Sequence, residues 1–347
     1  MQILYVLLAV LAFGVLIFVH ELGHFIAARV CRVKIFEFSI GMGPKLVWYE
    51  SKKTGILYSL RMFPIGGYVS MAGEDDESDD PNALPKKPAW QRFIITAAGA
   101  FMNLLLGFLL VFFYILNTPA GSTVVAELDA EYEEHVSDYA QDERLQLGDE
   151  IVAVDGTTVH IASELFFEIS RKGIEPIDLE IVRNGRKMTV RDVDFSVYTE
   201  QGEEFADPFF RVARLQKTPL VVLEQTVFGS YNLIRMVFTT VFDLVTGRYS
   251  LGVVSGPVGA ASAMSEVAAV SFLSFLYLVA AVAINIGLFN LFPIPALDGF
   301  RILFILIEMI RRKPIPEKYE RTINGVGIMV LFGLMILICF KDILQIF

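Results

Sequence analysis

The chain has 347 residues, of which 54% are hydrophobic and only 20% charged, an apolar share above that of ordinary soluble domains. Such a composition excludes a wholly water-solvated protein and implies membrane spans. The net charge is −10, no nucleic-acid partner is expected, and two distant cysteines, Cys31 and Cys339, exclude both a disulfide framework and a four-thiolate metal site.

The first predicted span runs from Ile3 to about Val30, and Ile3 to Val19 carries no charge. A cleavable signal peptide would have a basic start and a shorter apolar run, so a retained transmembrane helix is expected over 1–31. The next segment, 32–72, contains "KIFEFSI", "KLVWYE" and "ILYSLRMFPIGGYVSM". These runs, rich in β-branched and aromatic residues, predict hairpins leaning on the membrane, with a turn at Ser51 to Gly55. An acidic, proline-punctuated linker follows over 73–92, and then a second span over 93–117, interrupted mainly by Asn103.

Residues 118–198 read as a small α+β domain. "TVVAEL" and "EIVAVDGTTV" predict strands, "SELFFEISRK" a helix capped by Ser163, and "LEIVRNGRKMTV" a hairpin turning on Asn184-Gly185. The surrounding segment, Thr118 to Leu220, holds about twenty-two acidic against ten basic residues, which suits a solvated domain. In 199–270 a further apolar stretch has Val227, Phe228, Tyr231, Ile234, Phe238, Val241, Phe242 and Val245 at helical spacing. Gln225, Asn232, Arg235, Thr239 and Asp243 fall largely opposite, which predicts an interfacial amphipathic helix rather than a fifth span. The third span, 271–310, is broken by Pro293 and Pro295, and a loop and a fourth span complete the chain over 311–347.

Basic residues set the expected orientation. None precedes the first span, whereas Arg32 to Arg92 holds nine, and Arg311, Arg312, Lys313, Lys318 and Arg321 crowd the link before the fourth span. Both links are therefore expected in the cytosol, with the termini and the acidic domain outside. The fold class expected is an α-helical membrane protein of about four transmembrane helices, with a cytosolic-side β-hairpin region and an extracytoplasmic domain.

Within the first span lies His20-Glu21-Leu22-Gly23-His24, an HExxH pattern. Residues four apart share a helical face, so both imidazoles can reach one metal ion while Glu21 acts on a water at that ion. Ionisable groups at membrane depth are costly and mark functional sites. Seventeen residues at about 1.5 Å each put His20 about 26 Å into a core about 30 Å thick, toward the cytosolic side. A catalytic zinc commonly takes three protein ligands. The other histidines, His135 and His160, fall in the outside domain, so a carboxylate is needed. Asp298, Glu308, Asp243, Glu266 and Asp342 are the candidates, and Asp298 stands out because it follows the proline break and precedes Gly299.

HELGHF in the first span, "NLFPIPALDG" in the third, and the order of pieces around "LQLGDEIVAVDGTTV" in the outside domain together resemble the site-2 protease family of intramembrane zinc metalloproteases. The likeness is to its bacterial RseP/RasP-type branch with one PDZ domain, and it extends to "GMGPKL", "AAGAFMN" and "SGPVG". This chain has Arg144-Leu145-Gln146-Leu147-Gly148-Asp149 where many PDZ relatives read Gly-Leu-x-Pro-Gly-Asp, and Gly99-Ala100 where relatives often have Gly-Pro. The resemblance implies one zinc ion held by His20, His24 and Asp298, Glu21 as catalytic base, Asn290 as a holder of substrate backbone, and an edge strand within roughly Val33 to Val69. It also implies single-pass membrane proteins as substrates, contact with membrane lipids, and a place in the bacterial inner membrane. The alternatives are an inactive peptide-binding scaffold and a metal-ion transporter.

Overall fold

A computed structural model describes residues 2–74, 78–129, 144–200, 203–249, 256–313 and 317–346; His135 lies outside these. The chain divides into two compact units, Met1–Leu110 with Ser255–Phe347, and Val111–Val254. The first unit begins with helix α1, Gln2–Val30, followed by strands β1, Ile35–Glu50, and β2, Leu57–Met71, a short 3₁₀ turn at Leu84–Lys86, and helix α2, Ala89–Asn117, which crosses the boundary between the units.

The second unit continues with β3, Ala120–Leu128, β4, Glu150–Val154, β5, Thr157–Thr158, α3, Ala162–Lys172, β6, Ile177–Arg183, β7, Arg186–Val193, β8, Ser196–Glu200, β9, Glu203–Asp207, β10, Phe210–Leu215, and α4, Pro219–Val245. The chain then returns to the first unit with α5, Pro257–Val270, α6, Phe272–Phe289, α7, Asp298–Arg311, and α8, Glu317–Ile346.

Among the described residues four helical stretches are long and apolar enough to cross a membrane: Leu4–Val30, Ala89–Asn117, Phe272–Phe289 and Thr322–Asp342. They coincide with the four spans expected from the sequence. The third stops at Phe289, and the chain re-enters helix at Asp298 after the interval containing Pro293 and Pro295. Proline lacks the amide that would continue the ladder and disfavours helix in the residue before it. The helix at 257–270 has no counterpart in the sequence reading. It packs on α1 through Met264 and Ala268, and its N-terminal amides at Gly256 and Gly259 donate to the buried Asp342 carboxylate of α8 at 2.9 and 2.8 Å.

Two apolar clusters hold α1. Ala9 and Leu16 pack with Met264, Phe275, Val279 and Ala283. Further along, Ala28 joins Val33, Phe38, Val69, Met71 and Ile95, with Phe18, Leu22 and Phe25 alongside. His20 lies between these clusters, on a helix braced at both levels. α1 and α2 also come close: a Cβ on Gly23 would stand 2.3 Å from the Ala98 carbonyl oxygen, so only glycine permits this approach.

β1 and β2 form more than a simple hairpin. Phe38 is paired with both Val69 and Tyr58, and Ile40 with both Gly67 and Leu60, so the first part of β1 lies between two parts of β2. Lys45 to Glu50 pairs with Arg61 to Leu57 on the far side. Gly67 to Met71 consequently has a ladder partner on one side, and among the described residues its other side is an edge. Gly41, at φ +82, allows the bend, where a Cβ would meet the Phe63 carbonyl oxygen at 2.5 Å. A polar knot fastens this sheet: Ser59 donates to Glu37 at 2.7 Å, Arg61 donates to Glu37 at 2.9 Å and to Ser39 at 2.9 Å, and Lys45 lies 3.3 Å from Glu37.

In the second unit a sheet of order β10-β3-β4-β6-β7, with β5 beside β4, packs with α3 around Val125, Ile151, Leu165, Ile169, Leu179 and Ile181. The expected turn at Asn184-Gly185 is present, with both residues at positive φ and Arg183 paired to Arg186. Ser163 is not the cap of α3. The cap position is Ile161, and Glu164 turns its carboxylate back to accept from the His160 amide at 2.7 Å, which satisfies a helix-start donor with a longer side chain. The Arg144 to Asp149 loop is held by Arg183, which donates to both Asp149 oxygens at 2.7 Å and to the Arg144 carbonyl at 2.7 Å.

α4 is amphipathic as expected, and its polar side is the covered one. Gln225, Asn232 and Asp243 are buried, whereas Val227, Tyr231, Phe238, Phe242 and Val245 are exposed. Asp243 takes two 2.7 Å hydrogen bonds from Arg171 of α3, Arg235 stands 3.3 Å from Glu168, and Phe228 stacks on His160 with centroids 4.1 Å apart.

Candidate metal centre

The site grows out of three local structures. The α-helical repeat of α1 puts His20 and His24 on one face. The break after α6 allows α7 to begin at Asp298, and its approach is so close that a Cβ on Gly299 would be 2.1 Å from the Phe292 carbonyl oxygen. Helix α2 supplies the third wall with Gly99, where a Cβ would lie 2.3 Å from His24 Nε2 and 2.8 Å from His20 Nε2.

The donor atoms form a nearly equilateral triangle. His20 Nε2 and His24 Nε2 are 3.2 Å apart, and Asp298 Oδ2 is 3.1 Å from the first and 3.2 Å from the second. Tetrahedral bonds of 2.0–2.1 Å to zinc require ligand separations of about 3.3 Å. His24 Nδ1 donates to the Ile95 carbonyl at 2.8 Å, so its proton is on Nδ1 and the lone pair of Nε2 faces the triangle. Asp298 Oδ2 is buried and accepts no hydrogen bond among the described residues. A buried carboxylate oxygen facing an imidazole lone pair calls for a cation, and two nitrogens with one oxygen are a donor set suited to zinc. The residues present therefore fit that ion.

Glu21 lines the same cavity of about 310 Å³ as His20, His24 and Asp298. Tyr68 to Met71, the edge of β2, forms another wall, with Glu74, Thr96 and Arg301 adding polar groups. The remaining carboxylate candidates are engaged elsewhere. Glu308 pairs with Arg92 at 2.5 Å, Asp243 with Arg171, Asp342 caps α5, and Glu266 accepts from Ser262 at 3.3 Å. Asn290 sits at the end of α6 with its amide donating to the Ile286 carbonyl at 2.9 Å, and it does not line the cavity. Sequence reasoning missed Gly99 as part of the site, because no spacing places it against the two imidazoles. It also missed Glu74 and Arg301, which no spacing connects.

Outside the spans, burial pushes the Glu37 carboxyl up, but hydrogen bonds from Ser59, Arg61, Tyr68 and Lys45 outweigh it and hold the group below its ordinary range. The polar knot behind the cavity wall is thus charged at neutral pH.

Three donors spaced to hold one ion, a neighbouring glutamate and four membrane-length apolar helices among the described residues point to a zinc-dependent membrane peptidase. The comparisons agree with this class: the profile of Peptidase family M50 matches residues 8–334, and the chain belongs to that family. It is 35% identical over 342 residues to a Clostridium perfringens protein with a provisional zinc-metalloprotease name, covering 98% of this chain and 99% of the relative. It is 28% identical over 422 residues to zinc metalloprotease RasP of Geobacillus kaustophilus, covering 97% of each chain. With the regulator of sigma-W protease RasP of Bacillus subtilis the identity is 25% over 421 residues, covering 97% and 98%. The protein is a multi-pass membrane zinc metalloendopeptidase of the site-2 type, and the scaffold and transporter readings give way to it.

Proposed function

We propose that this enzyme cuts peptide bonds within the transmembrane segments of single-pass membrane proteins, with His20, His24 and Asp298 holding one zinc ion and Glu21 acting as general base. The observation that carries the proposal is the donor triangle opening, beside Glu21, into a cavity walled by an unpaired strand edge. Held by His20, His24 and Asp298, zinc would supply Lewis acidity to the scissile carbonyl and to the attacking water. Glu21 takes the proton of the attacking water and delivers it to the departing amine. A peptide bond inside a helix has its backbone groups engaged, so the substrate must unwind first. Gly67 to Met71 offers main-chain partners to the unwound segment, which makes up for its lost hydrogen bonds by strand addition. On this reading the substrate-binding edge includes Ser70 and Met71 beyond the expected Val69, and Asn290 reaches substrate only after its amide leaves Ile286.

The proposed setting is the bacterial inner membrane, with the β-region and metal site toward the cytosol and the acidic unit outside, as the distribution of lysine and arginine supports. The apolar residues of α4 then lie against lipid. We assign the sheet of the second unit to a PDZ-like domain that filters substrates and admits membrane proteins already shortened by an earlier cut. Anti-sigma factors and remnant signal peptides are substrates of this chemical kind. Purified protein should cleave a synthetic transmembrane peptide, and Glu21→Gln should keep its zinc and lose hydrolysis. Cleavage by Glu21→Gln at the wild-type rate would refute the role of the base. Removal of 122–195 should permit cleavage of full-length substrates, and continued restriction to truncated ones would refute the filter.

A further inference from the structure

Two further charged side chains line the cavity with Glu21 and the candidate metal ligands and stand outside the donor triangle. Glu74 lies three residues beyond the end of β2, just past a turn at Gly73, with φ +77. Arg301 lies on α7, three residues after Asp298 and so on the same side of the helix. Their ion pair, Arg301 Nη1 donating to Glu74 Oε1, joins the end of the substrate-facing edge to the helix that carries a metal ligand. Both line the cavity, with 17% of the Glu74 side chain and 35% of the Arg301 side chain exposed. At its other end the same edge touches the base, since a Cβ on Gly67 would stand 3.1 Å from Glu21 Cγ. The far end of α7 is fixed in turn by the pair of Arg92 with Glu308.

We infer that the Glu74–Arg301 pair is a latch that sets the position of the β2 edge along α7, and so selects which peptide bond of a docked substrate lies over the His20–His24–Asp298 site. The inference rests on the proposed addition of substrate to this edge. A strand advances about 3.3 Å per residue, so a slide of that size brings the neighbouring bond to the metal. The edge is laddered to β1 in one register from Glu37–Ser70 to Ile40–Gly67, with a bulge between Ile35 and Glu37, so the two strands move as one sheet and the ladder does not by itself fix where that sheet stands along α7. A charge pair anchored one helical turn from Asp298 is a better stop, referenced directly to the ligand. Its place in a partly water-excluded cavity strengthens it relative to an open surface pair. Glu74 and Arg301 are positioning residues in this scheme.

The test uses full-length protein in detergent and a synthetic leucine-rich transmembrane peptide with a central Asn-Gly pair, its products assigned by mass spectrometry. Wild type should cut one principal bond and Glu21→Gln none. If that contrast fails, the protease reading of the site fails, independently of the latch. With the contrast in place, Glu74→Gln and Arg301→Gln should each raise the share of product from flanking bonds about tenfold, equivalent to about 1.4 kcal/mol of lost discrimination. Zinc content should not change, and Arg301→Lys and the exchange E74R/R301E should restore single-bond cleavage. Slower cutting at an unchanged bond, or loss of zinc from the glutamine variants, would overturn the inference by showing that the pair only supports Asp298. If the glutamine variants do not fold, Glu74→Asp carries the same expectation: spread products support the latch and an unchanged bond refutes it.

Discussion

Replacing Gly99 by alanine tests the metal centre without touching a ligand. The added methyl would lie 2.3 Å from His24 Nε2 and 2.8 Å from both His20 Cε1 and Nε2. Ordinary contact requires about 3.4 Å or more, so one ring must retreat by about 1.1 Å or the helices must part. Neither is free to do so, because His24 Nδ1 is tied to Ile95 and the α1–α2 approach is set by Gly23 against Ala98. Metal–ligand distances tolerate about 0.2 Å. Loss of an outer hydrogen-bond partner alone lowers metal affinity by about 10–100-fold, so a displaced ligand should reach the top of that range, about 100-fold or about 2.8 kcal/mol. Chelator competition and zinc-to-protein ratios by plasma mass spectrometry measure this, with the thermal unfolding of metal-stripped protein as a check on the fold. Zinc affinity equal to wild type in a folded Gly99→Ala variant would refute the triangle as the binding site.

Proline at Val69, on the β2 edge, should reduce peptide cleavage by about tenfold or more while leaving zinc content unchanged, because it removes an amide and bends the edge; equal cleavage would remove strand addition from the mechanism. Arg171→Ala leaves Asp243, whose side chain is 2% exposed, as an unpaired buried charge and should destabilise the second unit by about 3–5 kcal/mol in thermal or denaturant unfolding. The double replacement R171M/D243L should recover most of that loss. Because the folded Glu37 carboxyl titrates below its ordinary value, its stabilisation is present above about pH 4 and is lost as pH falls through the folded value. The difference in Tm between wild type and Glu37→Gln should therefore be wide at pH 7 and close on acidification, and a constant difference would contradict the polar knot.

Much of the site is legible in the sequence because its chemistry is local. HExxH places two imidazoles and a carboxyl on one helical turn, and paired prolines announce the break from which Asp298 emerges. The spans are equally plain, since about 20 consecutive apolar residues rarely serve any purpose but crossing a bilayer. What escapes is long-range. Arg301 meets Glu74 across 227 positions and Arg92 meets Glu308 across 216, and no periodicity links such partners. Gly99 reads as an ordinary small residue until two imidazoles are seen against it. The amphipathic pattern of α4 is plain in its spacing, but periodicity separates two faces without saying which is covered. Arg171 and Glu168, supplied by another helix, decide that the polar face turns inward.

That inversion has a practical consequence for biochemistry on the acidic unit. Excised as Val111–Val254, it would keep the Arg171–Asp243 and Arg235–Glu168 pairs but carry an oily outer strip, and would behave as a surfactant that self-associates in plain buffer. Trimming it at Leu215 would remove the strip, but it would also take Asp243 from Arg171 and leave Glu168 with Lys172 alone, exchanging insolubility for a weaker fold.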